Sequence, residues 1–194
     1  MDVEETVKLD FRCCTPHRAK STSEQGYTLN ELLVLLAVVM VIVGLAVPGI
    51  LRVRAQARNE AAAIALLRTV ASSQVAYSKS CGSGGYATDF AVLGKPAPNS
   101  DTGFIPTEIS QTESPRQNGY TFTLDPGAGA SAGPLDCHGI PTQTAYLATA
   151  QPVAFGLAGT GNRSFAVTSE KIIWQIRSAI APDEPFADPE SPLQ

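Results

Sequence analysis

One uninterrupted apolar run, residues 32–51, limits what this chain can fold into. Seventeen of its 20 residues are apolar and none carries a charge. As an α-helix the run is about 30 Å long, which matches the hydrocarbon core of a bilayer. A buried core helix is the alternative, but a soluble domain of this size seldom surrounds a helix that is apolar on every side. We therefore predict that the run spans a membrane.

Averaged over its whole length, the chain has an ordinary composition. Hydrophobic residues make up 44% of the 194 residues and charged residues 16%, with a formal net charge of −4. This leaves room for one further domain with a core of its own. No window concentrates Lys and Arg as a phosphate backbone would require, so a nucleic-acid partner is not expected.

No catalytic or metal-binding set of residues can be assembled from the sequence. The two histidines, His17 and His138, lie far apart and lack ligands at zinc spacing. Adjacent residues of an extended loop point in different directions, so we interpret Asp136-Cys137-His138 as a cysteine in a polar loop and not as a thiol site. We do not expect an enzyme.

The junction before the apolar run places a glycine, an aromatic residue and a lone carboxylate in a fixed order. These are Gly26, Tyr27 and Glu31, followed directly by the apolar residues. A carboxylate within lipid is costly, about 2.5–3.5 kcal/mol at the centre of a helix and less near its end, so such a charge is usually kept for a partner. The alternative is that Glu31 lies among the headgroups, where the positive helix N-terminus stabilises it.

This junction resembles the class III signal of type IV prepilins and type II secretion pseudopilins (PulG-like), with Tyr27 in place of the usual Phe. The resemblance implies that prepilin peptidase cleaves between Gly26 and Tyr27 and that the new Tyr27 amine is N-methylated. It also implies that Glu31 pairs with that amine on a neighbouring subunit during assembly. Pro48 stands where many members have a helix-bending proline, and proline weakens a helix on physical grounds as well.

Three short motifs in the second half look like the pattern of the same group of pseudopilins: residues 119–122, 148–152 and 161–165. The family's function would make the chain a structural subunit of a type IV pilus or pseudopilus. Its partners would be prepilin peptidase, an inner-membrane assembly platform, membrane lipid and other subunits in a helical fibre. Its localisation would be the bacterial inner membrane, with a periplasmic C-terminal domain, and then the fibre.

An amphipathic stretch without Gly or Pro continues the apolar run. Small or apolar residues recur in it at steps of three or four, namely Ile64, Leu67, Ala71, Val75 and Ser78. We predict one helix over residues 29–80, about 78 Å long if straight, its second half packed on a domain. Gly82 would end it in a left-handed conformation. Three arginines would lie at the membrane surface, namely Arg52, Arg54 and Arg58; DNA binding by them is an alternative.

The C-terminal half predicts an antiparallel sheet. Alternating or β-rich segments occur at residues 120–124, 145–150, 164–168 and 171–176, the last two separated by a hairpin turn. Their expected buried side chains are Tyr120, Phe122, Leu124, Phe165 and Trp174. The predicted fold class is therefore α+β, a long N-terminal helix on a small antiparallel sheet, and the resemblance makes it pilin-like.

Four cysteines divide into two pairs. Cys13 and Cys14 precede the predicted cleavage point, whereas Cys81 and Cys137 would be exported. An even pair outside the cytoplasm favours a disulfide over two separate thiols. It would join the end of the helix to the loop before the strand that starts at residue 145.

The predicted organisation has five segments. These are a cleaved leader (1–26), an apolar assembly helix (27–51), an amphipathic helix (52–81), a loop-and-sheet domain (82–180) and a flexible acidic tail (181–194). Some pseudopilins bind calcium near their C-terminal loops, but the tail carboxylates show no ligand spacing, so we predict no cofactor.

An alternative function belongs to another class. It is an uncleaved single-pass inner-membrane protein whose periplasmic domain binds a ligand. Charge bias does not decide orientation, because basic residues stand on both sides of the apolar run. Pilus and pseudopilus are not distinguished by sequence either.

Overall fold

The computed structural model describes residues 26–187 and 190–193, apart from the side chains of residues 45–48. The leader through residue 25, with Cys13 and Cys14, lies outside the described residues, as does Asp188 of the acidic tail. The chain divides into two compact units, Met1–Val43 and Gly44–Gln194.

The described residues form three helices and eight strands. They are α1 (Leu29–Ser80), α2 (Phe90–Leu93), α3 (Thr107–Ser110), β1 (Arg116–Gln117), β2 (Tyr120–Pro126), β3 (Ala132–Leu135), β4 (Pro141–Gln143), β5 (Tyr146–Pro152), β6 (Ser164–Thr168), β7 (Ile173–Ile176) and β8 (Ser191–Pro192). A long helix packed on an antiparallel sheet makes the fold α+β, as predicted.

Helix α1 has the predicted bounds and 52 residues. It begins after Thr28, whose Oγ1 accepts a hydrogen bond of 3.3 Å from the Glu31 N–H. This bond satisfies one of the free donors that every helix N-terminus leaves. Residues 45–48, including Pro48, belong to the helix in their backbone.

The C-terminus of α1 corrects one prediction. The left-handed residues are Ser83 (φ 50°) and Gly84 (φ 95°), and not Gly82. Glycine is needed at position 82 for a different reason, since a Cβ there would lie 2.8 Å from the ring of Tyr77 and would also meet the carbonyl of Gly85. The helix ends with the Gly84 N–H bonded to the Ser78 carbonyl at 2.9 Å.

The first part of α1 has no packing partner among the described residues. Every residue from Gly26 to Gly44 is exposed. The helix contains an 18-residue window of mean hydropathy 2.9, long and apolar enough to cross a membrane.

The second part of α1 contacts the sheet domain through one continuous stripe. Its most buried members are Gln56, Glu60, Ala63, Leu67, Val70, Ala71, Ser73, Gln74 and Tyr77. Leu67 and Ala71 were predicted to be buried, whereas Ile64, Val75 and Ser78 are only half-buried at its edge. The buried face of the helix is therefore rotated about the helix axis relative to the predicted face, and it includes polar residues that the prediction assigned to solvent.

Six strands form one antiparallel sheet in the order β1-β2-β5-β6-β7-β8, and β3 pairs with β4 alone. Strand β6 has the predicted bounds. Strands β2 and β5 each end two residues later than predicted, and β5 also begins one residue later, at Tyr146. Strand β7 begins two residues later than predicted, at Ile173, because Lys171 adopts a left-handed conformation (φ 65°) in the turn.

The core lies between the sheet and α1. Tyr120, Phe122, Leu124 and Phe165 are buried there as predicted. Trp174 is not: it is half-buried and stacks on Phe186 with the ring centroids 4.7 Å apart. Successive strand residues face opposite sides of a sheet, so the buried position in β7 belongs to its neighbour, Ile173.

The C-terminal segment, predicted as a flexible acidic tail, packs on the domain where it is described. Strand β8 pairs with β7, and the Leu193 N–H bonds to the Ile173 carbonyl at 2.8 Å. The Glu184 carboxylate accepts a hydrogen bond from the Ala128 N–H. The apolar Phe186 and Leu193 supply the contacts that a composition-based prediction of disorder overlooks.

Candidate functional site

The N-terminal junction has the geometry of an accessible segment. Tyr27 is 76% exposed. No heavy atom lies within 4 Å of where a Cβ on Gly26 would stand, and its φ is not left-handed. Packing among the described residues therefore does not require glycine at position 26.

Glu31 lies in the first turn of α1 with an exposed side chain. Its backbone N–H is bonded to Thr28, but its carboxylate has no ion-pair or hydrogen-bond partner among the residues that the structure describes. A carboxylate in this position gains from the helix dipole and remains free to meet a cation from another molecule.

A second group of polar residues lies near the start of the packed part of α1, and we call Gln56, Asn59, Glu60 and Arg163 the helix–loop clamp. Gln56 Nε2 donates to the carbonyl oxygens of Gly156 (2.7 Å), Leu157 (3.3 Å) and Gly159 (2.9 Å). Asn59 Nδ2 donates to the Thr160 carbonyl at 2.9 Å. These bonds hold the loop after β5 against the helix.

Glu60 completes the clamp. Its Oε1 accepts the Asn162 N–H at 3.0 Å, and its Oε2 accepts Nε of Arg163 at 2.8 Å. Arg163 Nη1 also donates to Gln175 Oε1 at 2.9 Å. An open cavity of about 730 Å³ adjoins these residues, lined in part by Val53 and Arg177. The charges beside it, the buried Glu60 and the partly exposed Arg163, are already paired with each other, which satisfies them without a ligand.

The far end of α1 carries the predicted disulfide. Cys81 and Cys137 are bonded, with Cα atoms 4.8 Å apart and a sequence separation of 56. The bond joins the end of the helix to the turn between β3 and β4, before the strand that begins at Tyr146.

The residues around this disulfide lie closer together than the sequence interpretation assumed. His138 Nδ1 lies 3.3 Å from the sulfur of Cys137 and 3.6 Å from that of Cys81. The turn folds back on itself, so Asp136, Cys137 and His138 are not splayed apart. Both sulfurs are in the disulfide, so the group offers neither a thiolate nucleophile nor thiolate metal ligands.

Asp136 organises that turn from inside the protein. Its Oδ1 accepts the N–H groups of His138 (2.8 Å) and Ile140 (2.7 Å), and its Oδ2 accepts the Tyr77 hydroxyl at 2.8 Å. Burial alone would raise the pKa of Asp136, but these hydrogen bonds lower it below its usual value. Burial, followed by the bond to Asp136, raises the pKa of Tyr77.

The sequence interpretation missed the clamp and the Tyr77–Asp136 pair. The helix side of the clamp could have been found in the sequence by allowing Gln and Glu at buried positions. One helical stripe then appears, at positions 56, 60, 63, 67, 70, 74 and 77. Their loop partners could not be located, since they lie about 100 residues away along the chain.

The junction, the clamp and the disulfide turn occupy separate stretches of the chain, and no titratable set suited to catalysis is found within the described part. Comparison with family models, curated proteins and solved structures finds no match for this chain.

Proposed function

We propose that the chain is a prepilin or pseudopilin, a structural subunit that is cut after Gly26 and polymerises through its N-terminal helix. The observation that carries the proposal is α1 itself. Its first part, through Gly44, is apolar and exposed, whereas its second part is buried against a disulfide-linked α+β domain. A helix of this kind needs a second apolar environment, which a bilayer supplies first and the core of a fibre afterwards.

Two features of the junction support the proposed processing. No described atom lies near a Cβ at position 26, so a requirement for glycine there fits recognition by a peptidase better than packing on the described fold. Tyr27 is exposed, and only Thr28 lies between it and the first residue of α1. Cleavage would leave the new amine four residues before Glu31, and N-methylation would follow on that amine.

Glu31 supplies the proposed assembly chemistry. A carboxylate and an amine that enter an apolar environment alone each cost several kcal/mol, and they recover part of it by pairing. In the proposed fibre the Tyr27 amine of one subunit meets the Glu31 carboxylate of its neighbour. The fold is pilin-like in this proposal, the domain is periplasmic, and the motor and the peptidase are partner proteins.

The test is intact-mass measurement on the chain extracted from membranes, after co-expression with an active prepilin peptidase. We expect a chain that begins at Tyr27 and carries one added methyl group. The Gly26→Val variant should keep the fold of the domain, because a Cβ at that position has no described atom within 4 Å, yet remain uncut. A parental chain that still begins at Met1 beside the active peptidase would contradict the proposal.

A further inference from the structure

An apolar loop projects from the sheet domain beside α1. Residues 153–159, which we call the apolar loop, carry no charge. Its three large side chains are exposed: Val153 by 51%, Phe155 by 46% and Leu157 by 86%. Three exposed large apolar side chains within five residues are a concentration of the kind that marks an interaction site on a domain surface.

The loop has a defined conformation. Gly156 adopts φ 108°, and the Gly159 N–H bonds to the Gly156 carbonyl at 2.8 Å. The Thr160 N–H bonds to the Ala154 carbonyl at 2.7 Å, which closes the turn. A loop ordered in this way presents its apolar side chains without the entropic cost of ordering them on contact.

The clamp fixes the position of the loop along α1. Gln56 holds the carbonyls of Gly156, Leu157 and Gly159, and it follows the last residue of the apolar run, Leu51, by five positions. Five residues of helix rise about 7.5 Å. The loop is therefore held within one and a half turns of the point where the apolar run ends.

The surroundings of the loop favour a lipid surface as its partner. Leu51 and Val53 are also exposed at this level of the helix, and Val53 lines the cavity beside Gln56. The exposed charges on this part of the helix are cationic, namely Arg52, Arg54 and Arg58. The acidic residue nearby, Glu60, is paired with Arg163. Exposed apolar side chains at the same level of the helix as exposed arginines suit the boundary between acyl chains and anionic phosphates.

We propose that the apolar loop inserts Phe155 and Leu157 into the membrane interface beside α1, giving the subunit a second contact with lipid. This inference rests on the proposed membrane-spanning function. The clamp sets the depth of the contact, and an interfacial side chain of this kind lies about 5–10 Å into the boundary between headgroups and acyl chains.

The test is tryptophan quenching in nanodiscs that contain the full chain. The discs consist of phosphatidylcholine and phosphatidylglycerol brominated at the upper part of the acyl chain. The reporter is Leu157→Trp, and its matched control is Leu135→Trp, at a side chain that is 60% exposed. Leu135 is close in sequence to Cys137, whose disulfide joins it to the end of α1. That end of the helix is about 37 Å from Gln56, so the control lies far from the apolar loop. The emission of the parent's single tryptophan, Trp174, is subtracted.

A third variant, Met40→Trp, reports on the span itself. We expect loss of emission for the variants at positions 40 and 157 and none for the variant at position 135. Quenching at position 40 without quenching at position 157 overturns the loop contact and leaves the proposed function standing. Absence of quenching at position 40 overturns both. A blue shift at position 157 that grows with the number of chains per disc, without quenching by bromine, assigns the loop to a neighbouring copy and overturns the lipid contact.

Discussion

Glu60 of α1 and Arg163, which precedes β6, form a two-point ion pair in which Oε2 of Glu60 accepts hydrogen bonds from both Nε and Nη2 of Arg163. Glu60 is only 7% exposed, and the Arg163 guanidinium also lies 5.7 Å from the ring centroid of Phe165. The pair links the helix to the sheet across about 100 residues of chain. Its loss leaves charged groups without partners, which is why it matters for stability.

We predict that Glu60→Ala lowers the free energy of unfolding by about 2–3 kcal/mol, because hydrogen bonds to charged groups contribute about 1.5–3 kcal/mol. Glu60→Gln should cost less, since its amide oxygen still accepts the Asn162 N–H. Urea unfolding of the detergent-solubilised chain, followed by circular dichroism, measures both. Glu113→Ala is the matched control at an exposed carboxylate, with an expected change within about 0.5 kcal/mol. Equal stability of the variants at positions 60 and 113 would contradict the prediction.

Glu60 also shows where sequence-based prediction stops. The bounds of α1 followed from an apolar run and from the stretch without Gly or Pro that continues it, which are local properties that a sequence states directly. The face that α1 buries could not be predicted in this way, because Gln56, Glu60 and Gln74 are polar, and polar residues are usually assigned to solvent. They are buried because loop and sheet groups satisfy them; Gln74, for example, exchanges two hydrogen bonds with the backbone of Ala87.

Trp174 illustrates the same limit in the sheet. A period of two determines which residues share a face, but it does not say which face is the core. The turn at Lys171 sets that register, and it places Ile173 inside and Trp174 against Phe186. The disulfide could be predicted from the sequence. Two of the four cysteines precede the predicted cleavage point, so Cys137 was the one partner left for Cys81 in the predicted exported part.

The Asp136 carboxylate makes stability depend on acid pH. Its pKa is lowered in the folded state, so its contribution is present above the ordinary Asp pKa of about 3.9 and is lost as the pH falls through the lower folded value. We predict that Asp136→Asn costs about 1–3 kcal/mol at pH 7. The difference from the parent should shrink as the pH falls below about 4.

Urea unfolding between pH 7 and pH 2 tests this dependence. Asp101→Asn, at an exposed carboxylate, serves as the control and should follow the parent at every pH. A difference between the parent and Asp136→Asn that stays constant down to pH 2 would show that the substitution acts through packing and not through the charge.

Reduction of Cys81–Cys137 should destabilise the domain. Closing a loop with a sequence separation of 56 contributes about 4 kcal/mol by the chain-entropy relation. We predict that the double variant Cys81→Ser, Cys137→Ser unfolds at the same urea concentration with and without dithiothreitol. The parent should match it only with dithiothreitol. Thiol labelling of both cysteines in the unreduced, denatured parent would refute the bond itself.

Substitution of Glu31 separates the proposed assembly from folding. Its exposed carboxylate has no partner in the described structure, and the helix-capping bond uses its backbone N–H, so Glu31→Ala should leave the stability of the domain unchanged. In the proposed fibre the same change leaves the Tyr27 amine of a neighbour unpaired in an apolar environment, at several kcal/mol.

Each 1.4 kcal/mol changes an equilibrium tenfold, so we predict that Glu31→Ala lowers the amount of sheared fibre at least about tenfold at equal protein levels. Asn30→Ala, at the adjacent exposed position, is the control and should assemble normally. Glu31→Asp tests the chemistry, because it keeps the charge on a shorter side chain and should assemble better than Glu31→Ala. If Glu31→Ala assembles as well as the parent, Glu31 is only a helix-terminal residue, and the paired charge cannot drive polymerisation.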